Sequence, residues 1–341
     1  MAIVKKILFL GTTGYIGGSV LDAILDHPRA GEFDITAYFR SAEKAKKCEQ
    51  LIGIKTIAGS FDVVQEAAAK ADFVINCASS DDLPLTEAVL TGAKKHFAST
   101  KVPTILLHTS GTGINLDRAA GQYATDKTLD DTESARINAL PPTEWHRNVD
   151  IPILQANKEG YITSYTVYPS IIFGLATGRF VKAGLQNPVP TAAYFIALGD
   201  IKRGVPGVVG PMKNVWNFVD IHDVADLYFI IFDAIIAGKN IPSGIDGHYF
   251  AENGYSSVGP YFRGIGQALY ELGTIRSAEE TQFTPEEMNS ELGVVYGYLA
   301  NNTRTSSTRS RSLGWDPKVP ARAMADRLKG EMKVMLERIN A

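Results

Sequence analysis

Three glycines near the amino terminus have the spacing of a turn that holds phosphates. The run Gly11-Thr12-Thr13-Gly14-Tyr15-Ile16-Gly17 separates an apolar segment, residues 7–10, from a segment with apolar residues at helical spacing. At such a junction the first glycine permits a tight turn, the second lets the backbone approach a pyrophosphate, and the third lets the helix pack close to the strand. The free N–H groups of the helix N-terminus then attract the phosphates. The pattern predicts a dinucleotide site formed by Gly11, Thr13, Gly14, Tyr15, Ile16 and Gly17.

A cation follows the second predicted strand, where dinucleotide sites often carry an acid. Residues 34–39 form this strand, and Arg40 comes directly after it, with Lys44 one helical turn later. An acid at this position would accept a hydrogen bond from the ribose 2′-hydroxyl of NAD. A guanidinium instead suits a 2′-phosphate. The sequence therefore favours NADP(H) over NAD(H), although Arg40 would also suit a solvated position at the edge of a sheet.

The elements that must position these residues alternate regularly through the first half of the chain. Strand-like apolar runs are separated by segments of helical periodicity, and they lie at residues 4–10, 34–39, 54–57, 72–77, 102–108 and 161–168. This alternation predicts an α/β fold with a Rossmann-type, doubly wound parallel sheet. Residues 111–142 lack a clear period and are predicted to form a long loop, and residues 145–158 are predicted to form an amphipathic helix. The Rossmann domain is expected at 1–173 plus about 215–249, and a smaller substrate-binding part at about 174–214 plus 250–341.

Composition narrows the class of protein. The chain has 341 residues, a formal net charge of −3, 45% hydrophobic residues and two cysteines. The absence of a basic excess argues against nucleic-acid and membrane-surface partners, and no apolar run reaches the roughly 18 residues of a membrane span. Two cysteines are too few for a disulfide framework, which predicts a reducing compartment, the cytoplasm. The sequence predicts no metal site.

Several further segments, in a fixed order, resemble one superfamily. The glycine spacing is GxxGxxG, and the segments 76–79 (NCAS), 109–111 (TSG), 168–174 (YPSIIFG), 217–225 (NFVDIHDVA) and 313–317 (LGWDP) follow it. Together they resemble the extended branch of the short-chain dehydrogenase/reductase superfamily, which is epimerase/dehydratase-like. The resemblance implies that Asp62 contacts the adenine and that Ser110 takes the place of a catalytic serine or threonine. It also places beside the cofactor Cys77, Ala78, Ser79, Ser110, Tyr168, Pro169 and Ser170, with Tyr168 standing where the family has arginine.

One expected feature of this superfamily is missing. Its chemistry uses a tyrosine, and a lysine four residues later, on the helix before the sixth strand, but residues 142–150 contain neither. A Tyr123–Lys127 pair has the right internal spacing and lies 13 positions after Ser110, although its flanks lack a helical stripe. Short motifs of this kind also arise by chance. His146, whose residue type suits proton transfer at neutral pH, is a further candidate donor, as are Tyr161 and Tyr165.

Three functions remain open at this point. The chain is expected to be an NADP(H)-dependent reductase of a small-molecule carbonyl with a non-standard proton donor. The alternatives are a lyase or epimerase that binds the same cofactor, and a sensor or scaffold without catalysis, because a fold alone does not decide function. The protein is expected to be a monomer or homodimer. An apolar or aromatic substrate is suggested by six aromatic residues of the carboxyl-terminal part: Tyr255, Tyr261, Phe262, Tyr270, Tyr296 and Tyr298.

Overall fold

The computed structural model describes residues 5–339 and contains one large parallel sheet. The strands in chain order are β1 (Lys5–Leu10), β2 (Phe33–Phe39), β3 (Lys55–Ala58), β4 (Phe73–Asn76), β5 (Thr104–Thr109), β6 (Leu129–Asp130), β7 (Ile162–Pro169), β8 (Ile171–Phe173), β9 (Gly207–Val208), β10 (Val215–Asp220), β11 (His248–Ala251), β12 (Tyr255–Ser257), β13 (Thr281–Gln282) and β14 (Thr305–Ser306). Seven of them form the sheet in the order β11-β7-β5-β4-β1-β2-β3, all parallel. The expected α/β class is confirmed.

Helices cover both faces of this sheet, which is the usual reason that parallel strands are buried on both sides. The helices of the described residues, in chain order, are α1 (Tyr15–Leu25), α2 (Ala42–Ile52), α3 (Phe61–Ala68), α4 (Leu83–Thr100), α5 (Ser134–Asn138), α6 (Arg147–Lys158), α7 (Arg179–Lys182), α8 (Thr191–Arg203), α9 (Ile221–Ile236), α10 (Gly259–Glu271), α11 (Pro285–Met288), α12 (Glu291–Leu299), α13 (Thr308–Ser312) and α14 (Met324–Ile339). None of the helices within residues 5–339 has both the length and the apolar character needed to cross a bilayer.

The side chains of β1 alternate between the two faces of the sheet, so this strand contributes to a core layer on each face. Ile7 and Phe9 point to one face and pack with α1, α2 and α9, whereas Leu8 and Leu10 point to the other and pack with α3, α4 and α6. Successive side chains of a strand point to opposite faces, so one apolar run supplies both layers. A separate core joins helices α8, α10, α12 and α14 in the carboxyl-terminal half.

Two features of the second half differ from the sequence-based expectation. Residues 217–220, which the sequence assigns to the Rossmann part, lie in β10, and this strand pairs with β8 and β12 in a small three-stranded sheet. The seventh strand of the large sheet is β11, which the sequence analysis did not identify because it is only four residues long. This strand crosses the predicted limit at residue 249, and the division into two domains stays a prediction. Residues 111–142 are largely irregular, as expected, and include only the short β6, α5 and a 3₁₀ turn.

Candidate active site

The glycine turn between β1 and α1 is as tight as its spacing predicts. Gly11 has a φ of +94°, and a Cβ there would lie 2.3 Å from the carbonyl oxygen of Cys77 at the end of β4. A Cβ on Gly17 would lie 2.1 Å from the carbonyl oxygen of Gly11. The backbone N–H of Gly14 donates to that same oxygen at 2.9 Å. The first and third glycines are therefore required by direct backbone contact, which leaves no room for a side chain.

The turn leaves polar groups free where a phosphate would lie. The first-turn N–H groups of a helix have no acceptor within the helix, and Gly14, the residue that precedes α1, offers no side chain to cap them. The Thr12 hydroxyl is buried and has no hydrogen-bond partner within residues 5–339. Asn187 N–H donates to the carbonyl oxygen of Thr13 at 3.0 Å and fixes the turn from the outside. Free donors, an orphaned hydroxyl and the positive end of a helix fit a pyrophosphate.

The residues predicted to contact the adenosine half lie at the carboxyl ends of β2 and β3. Arg40 directly follows β2 and is exposed, and Lys44 is exposed on the first turn of α2. Ser41 caps α2 by accepting from the N–H of Lys44 at 3.3 Å. Asp62 is exposed at the start of α3 and lines a cavity of about 560 Å³ between that helix and strands β1–β3. Arg40 and Lys44 thus follow β2, which adjoins β1 in the sheet, and Asp62 follows β3, which adjoins β2.

Small residues follow β4, and of these Cys77 is buried, Ala78 is partly exposed and Ser79 is exposed. Burial raises the pKa of the Cys77 thiol to about 12, against the opposing hydrogen bonds of Thr109 and Tyr228, so this thiol stays neutral. Ala78 N–H donates to Asn76 Oδ1 at 3.1 Å, and Ser79 Oγ accepts from the N–H of Asp81 at 3.3 Å. These bonds hold the loop after β4 in place. Cys77, Ala78 and Ser79 therefore supply backbone and small side chains beside the glycine turn and no reactive group.

Ser110 follows β5 and is held by a buried acid. Its Oγ donates to Asp150 Oδ2 at 3.0 Å, and Asp150 is only 2% exposed. Burial raises the pKa of the Asp150 carboxyl to about 6, although His146, Arg147 and the Ser110 hydrogen bond act to lower it. Arg147 Nη1 lies 4.0 Å from Asp150 Oδ2. Sequence analysis placed Ser110 at this position but did not identify the acid.

His146 is the residue that precedes α6, and hydrogen-bond partners hold one nitrogen of its ring. Its Nδ1 is 2.9 Å from Asp81 Oδ1 and 3.1 Å from Ser80 Oγ. Its backbone φ is +68°, an uncommon conformation for a residue with a side chain. Trp145 stacks on the ring with centroids 4.5 Å apart and donates through Nε1 to Asp81 Oδ2 at 3.2 Å. The ring is therefore oriented by a carboxylate and an indole together.

Asp81 and His108 complete the surroundings of His146. Burial acts to raise the pKa of Asp81, but the hydrogen bond and charge of His146 and the hydrogen bond of Trp145 outweigh it, and the net shift is downward. His108 on β5 is fully buried, and burial followed by the charge of His146 lowers its pKa to about 3. His108 is therefore neutral near neutral pH, and its Nδ1 lies 3.3 Å from Asn76 Nδ2. The acid–base group that remains open at this edge is His146.

Tyr168, Pro169 and Ser170 end β7 beside the same edge. The Tyr168 hydroxyl is buried 3.0 Å from Nδ1 of His248 on β11, and burial and the charge of Asp150 raise its pKa well above the usual value. Ser170 Oγ donates to the carbonyl oxygen of Ala251 at 3.1 Å. Tyr168 is thus tied into the packing between β7 and β11, and it stays protonated.

Within residues 5–339, no hydrogen bond joins the Tyr123–Lys127 pair to Ser110, His146 or Asp150. Both side chains are exposed in an irregular segment that is not helical. The segment is fixed by Asn302, whose Nδ2 donates to the carbonyl oxygen of Tyr123 at 3.1 Å. Tyr161, another candidate donor, lies at the amino-terminal end of β5, where its carbonyl oxygen accepts from Thr104 N–H. Ser110 lies at the opposite end of that strand, and Tyr165 lies within β7 between the two ends.

The carboxyl-terminal aromatic residues divide into two groups. Tyr261, Phe262 and Tyr296 are buried in the core of helices α8, α10, α12 and α14. Tyr255, Tyr270 and Tyr298 are exposed. Of these, Tyr298 on α12 stacks on Trp145 with ring centroids 4.6 Å apart, and Trp145 in turn stacks on His146. The carboxyl-terminal part therefore contributes one aromatic side chain to this region through that stack.

Sequence analysis missed the acids and identified the histidine only as one candidate among several. His146 and Asp150 are four residues apart at the start of α6, which places both on one face of the helix. That spacing is visible in the sequence, at the end of the window where the tyrosine–lysine pair was expected. Asp81, in contrast, is 65 residues from His146 in sequence and carries no local signal.

The comparisons with known proteins agree with the fold. No model of a known protein family matches the chain. The chain is 25% identical over 335 residues to Oxidase ucsJ from Acremonium sp., and the match covers 93% of this chain and 94% of that protein. Two crystal structures share the fold: dTDP-glucose 4,6-dehydratase from Bacillus anthracis in complex with NAD (12% identity, 97% of each chain, TM-score 0.61) and yeast methylglyoxal/isovaleraldehyde reductase Gre2 complexed with NADPH (14% identity, 98% of this chain and 100% of that chain, TM-score 0.57). The chain therefore shares the fold of these two nicotinamide-binding enzyme structures.

Proposed function

We propose that this chain, which has the fold of the extended short-chain dehydrogenase/reductase enzymes, is an NADP(H)-dependent oxidoreductase acting on a small-molecule carbonyl or the corresponding alcohol. One observation carries the proposal. The open glycine turn after β1 lies at the same edge of the sheet as the buried polar group formed by Ser110, His146 and Asp150. Ligands of open parallel sheets bind at the carboxyl ends of the strands, where the strand order reverses.

The names of similar proteins support redox chemistry with a nicotinamide. The relative from Acremonium is called an oxidase, the dehydratase structure contains NAD, and the yeast reductase structure contains NADPH. Two different reaction types on one fold show that the site residues, and not the fold, must decide the reaction. A buried acid–base group beside an open dinucleotide turn favours hydride transfer coupled to proton transfer.

The preference for NADP(H) rests on the exposed cations after β2. Arg40 and Lys44 form no salt bridge within residues 5–339, so both are available to an anion. The position after β2 carries no acid that would select the 2′-hydroxyl of NAD. A guanidinium holds a phosphate through two parallel hydrogen bonds, which gives geometric as well as electrostatic selectivity.

The residues of the chain have separate tasks in this proposal. A nicotinamide, when bound, would supply or accept the hydride. The backbone of the glycine turn and the N-terminus of α1 hold the pyrophosphate, and Asp62 lies near the adenine. Ser110, Tyr168, Pro169 and Ser170 lie at the carboxyl ends of β5 and β7 and would border the nicotinamide, and Ser110 could donate to the substrate oxygen only while Asp150 is protonated. Asp150 is buried behind Ser110, where it controls the direction of the serine hydrogen bond.

The decisive experiment is a calorimetric titration of the purified protein with NADPH and with NADH, followed by a panel of aldehydes and ketones read at the nicotinamide absorbance. Tighter binding of NADPH and turnover of a carbonyl would support the proposal. Tight binding without oxidation of NADPH by any carbonyl would favour a sensor or a lyase. Failure to bind either cofactor would overturn it.

A further inference from the structure

We propose that Asp81 and His146 form the acid–base pair of this site, with His146 Nε2 as the atom that exchanges a proton with the substrate oxygen. This inference rests on the proposed oxidoreductase function and names the donor that the function requires. It assigns His146 as the catalytic residue and Asp81 as a positioning residue.

The ring has one engaged and one open nitrogen. Nδ1 lies 2.9 Å from the carboxylate oxygen Oδ1 of Asp81, which accepts a proton but cannot donate one when ionised. The lowered pKa of Asp81 keeps this carboxylate ionised near neutral pH. Nδ1 therefore carries the hydrogen, and in the neutral ring Nε2 carries the lone pair. Nε2 makes no hydrogen bond to any group within the described part of the chain.

The open nitrogen lies beside Gly111 at the carboxyl end of β5, where the proposed function places the substrate. A Cβ added to Gly111 would be 2.9 Å from His146 Nε2 and 3.7 Å from the carbonyl oxygen of Pro169. Nε2 is therefore next to the residue that follows Ser110, between the ends of β5 and β7. The backbone of Gly111 is extended, a conformation that any residue adopts, so a side chain here would conflict only with the present position of the His146 ring.

Titratable or charged side chains near the His146 ring come from the loop after β4, from β5 and from α6. Asp81 is on the loop after β4, His108 is on β5, and Arg147 and Asp150 are on α6. The buried, neutral His108 does not supply a proton near neutral pH, and Trp145 separates the ring from Tyr298. The ionised carboxylate of Asp81 is the only charged group in direct hydrogen-bond contact with the ring among residues 5–339.

The proton balance of the step is simple. During reduction of a carbonyl, the hydride reaches the carbon, the carbonyl π bond breaks, and the oxygen takes the proton from Nε2 of the imidazolium. The ring is then neutral, and its Nδ1 hydrogen still faces Asp81. Oxidation of an alcohol is the reverse, with neutral Nε2 accepting the hydroxyl proton. Besides the nicotinamide, the balance needs one proton from solvent, which restores the imidazolium after reduction and is released after oxidation.

The first test needs no substrate. In protein labelled with ¹⁵N-histidine, His146 is assigned by comparison with His146→Asn, and the ring shifts are recorded at a pH at which the ring is neutral, with and without NADP⁺. We expect a protonated Nδ1 and an unprotonated Nε2, a loss of this preference in Asp81→Asn, and a change at Nε2 when NADP⁺ binds. A hydrogen on Nε2 in the wild-type protein would overturn the assignment. Absence of NADP⁺ binding would overturn the proposed function and leave the tautomer result standing.

The second test exploits the positive φ of His146, which glycine adopts without strain. With NADPH and methylglyoxal or isovaleraldehyde as probes, His146→Gly should lower kcat by about 10²–10⁴-fold without changing the dissociation constant of NADPH. Added imidazole should restore part of the lost turnover in His146→Gly and none in His146→Asn. Asp81→Asn should lower kcat more than it changes KM. Full activity of His146→Gly would overturn the proposal, and if neither probe is reduced the NMR result decides it alone.

Discussion

Ser110 Oγ donates a 3.0 Å hydrogen bond to Asp150 Oδ2, which joins the end of β5 to the first turn of α6. The direction of this bond depends on the charge of the acid. While Asp150 is ionised it can only accept, so the serine proton is directed away from the substrate side. A protonated Asp150 could donate to Ser110 and release the serine hydroxyl as a donor. Because the pKa of Asp150 is raised to about 6, both states are accessible near neutral pH.

The raised pKa of Asp150 makes a prediction for stability. The carboxyl titrates at about 6 in the folded protein and near 3.8 in a model peptide, so the folded protein binds more protons between these values. Stability therefore falls as pH rises from about 4 to about 6, by on the order of 3 kcal/mol in total. Asp150→Asn should remove this fall, and the measurement is the free energy of urea unfolding at successive pH values.

A matched control is Asp200→Asn. Burial raises the pKa of Asp200 to about 7, so its own loss of stability extends to that pH. Asp150→Asn should therefore remove a fall in the free energy of unfolding that ends near pH 6, whereas Asp200→Asn should remove a fall that extends to about pH 7. Identical profiles for Asp150→Asn and wild type would show that Asp150 titrates normally.

Arg40→Ala should weaken NADPH binding much more than NADH binding. Loss of a hydrogen-bonded charge is worth roughly 1.5–3 kcal/mol, which corresponds to about 10–100-fold in the dissociation constant. The check is a calorimetric titration with both cofactors, and Lys46→Ala, which removes an exposed cation of α2, serves as the control. Equal weakening of both cofactors would exclude a role of Arg40 at the 2′-phosphate.

Tyr123→Phe should leave turnover unchanged. The tyrosine is 49% exposed in an irregular segment, and its described contacts are with Asp117 and Asn302 rather than with the Ser110 group. Steady-state kcat and KM on the substrate found in the carbonyl panel are the measurement, with Lys127→Met beside it. A large fall in kcat for either variant would return the Tyr123–Lys127 pair to consideration as the catalytic pair.

Gly17→Ala should damage the cofactor site. Its Cβ would lie 2.1 Å from the carbonyl oxygen of Gly11, so α1 must shift away from β1. We expect a loss of about 1–3 kcal/mol in stability, the typical cost of overpacking, together with weaker NADPH binding. Gly31→Ala is the matched control, because no heavy atom lies within 4 Å of the Cβ that it adds. Similar unfolding free energies and affinities for the two variants would contradict the proposed packing.

Sequence analysis identified the elements that local patterning determines. The predicted helix 145–158 is observed as α6 (Arg147–Lys158), and the six predicted strand regions of the first half are observed as β1–β5 and β7. It did not identify β11, which is only four residues long and is included in the large sheet solely through its pairing with β7. The residues assigned to the cofactor lie at one edge of the sheet because parallel strands all end there.

The sequence by itself determined the parallel sheet and the glycine turn, since both follow from short-range periodicity and from sterics that only glycine satisfies. The tertiary structure alone decided which polar residues meet. Asp81 and His146 are 65 residues apart, and Ser110 and Asp150 are 40 apart. These pairs form because the loops after β4 and β5 and the start of α6 converge at one edge of the sheet. Such convergence depends on the packing of whole elements, and no local pattern of residues encodes it.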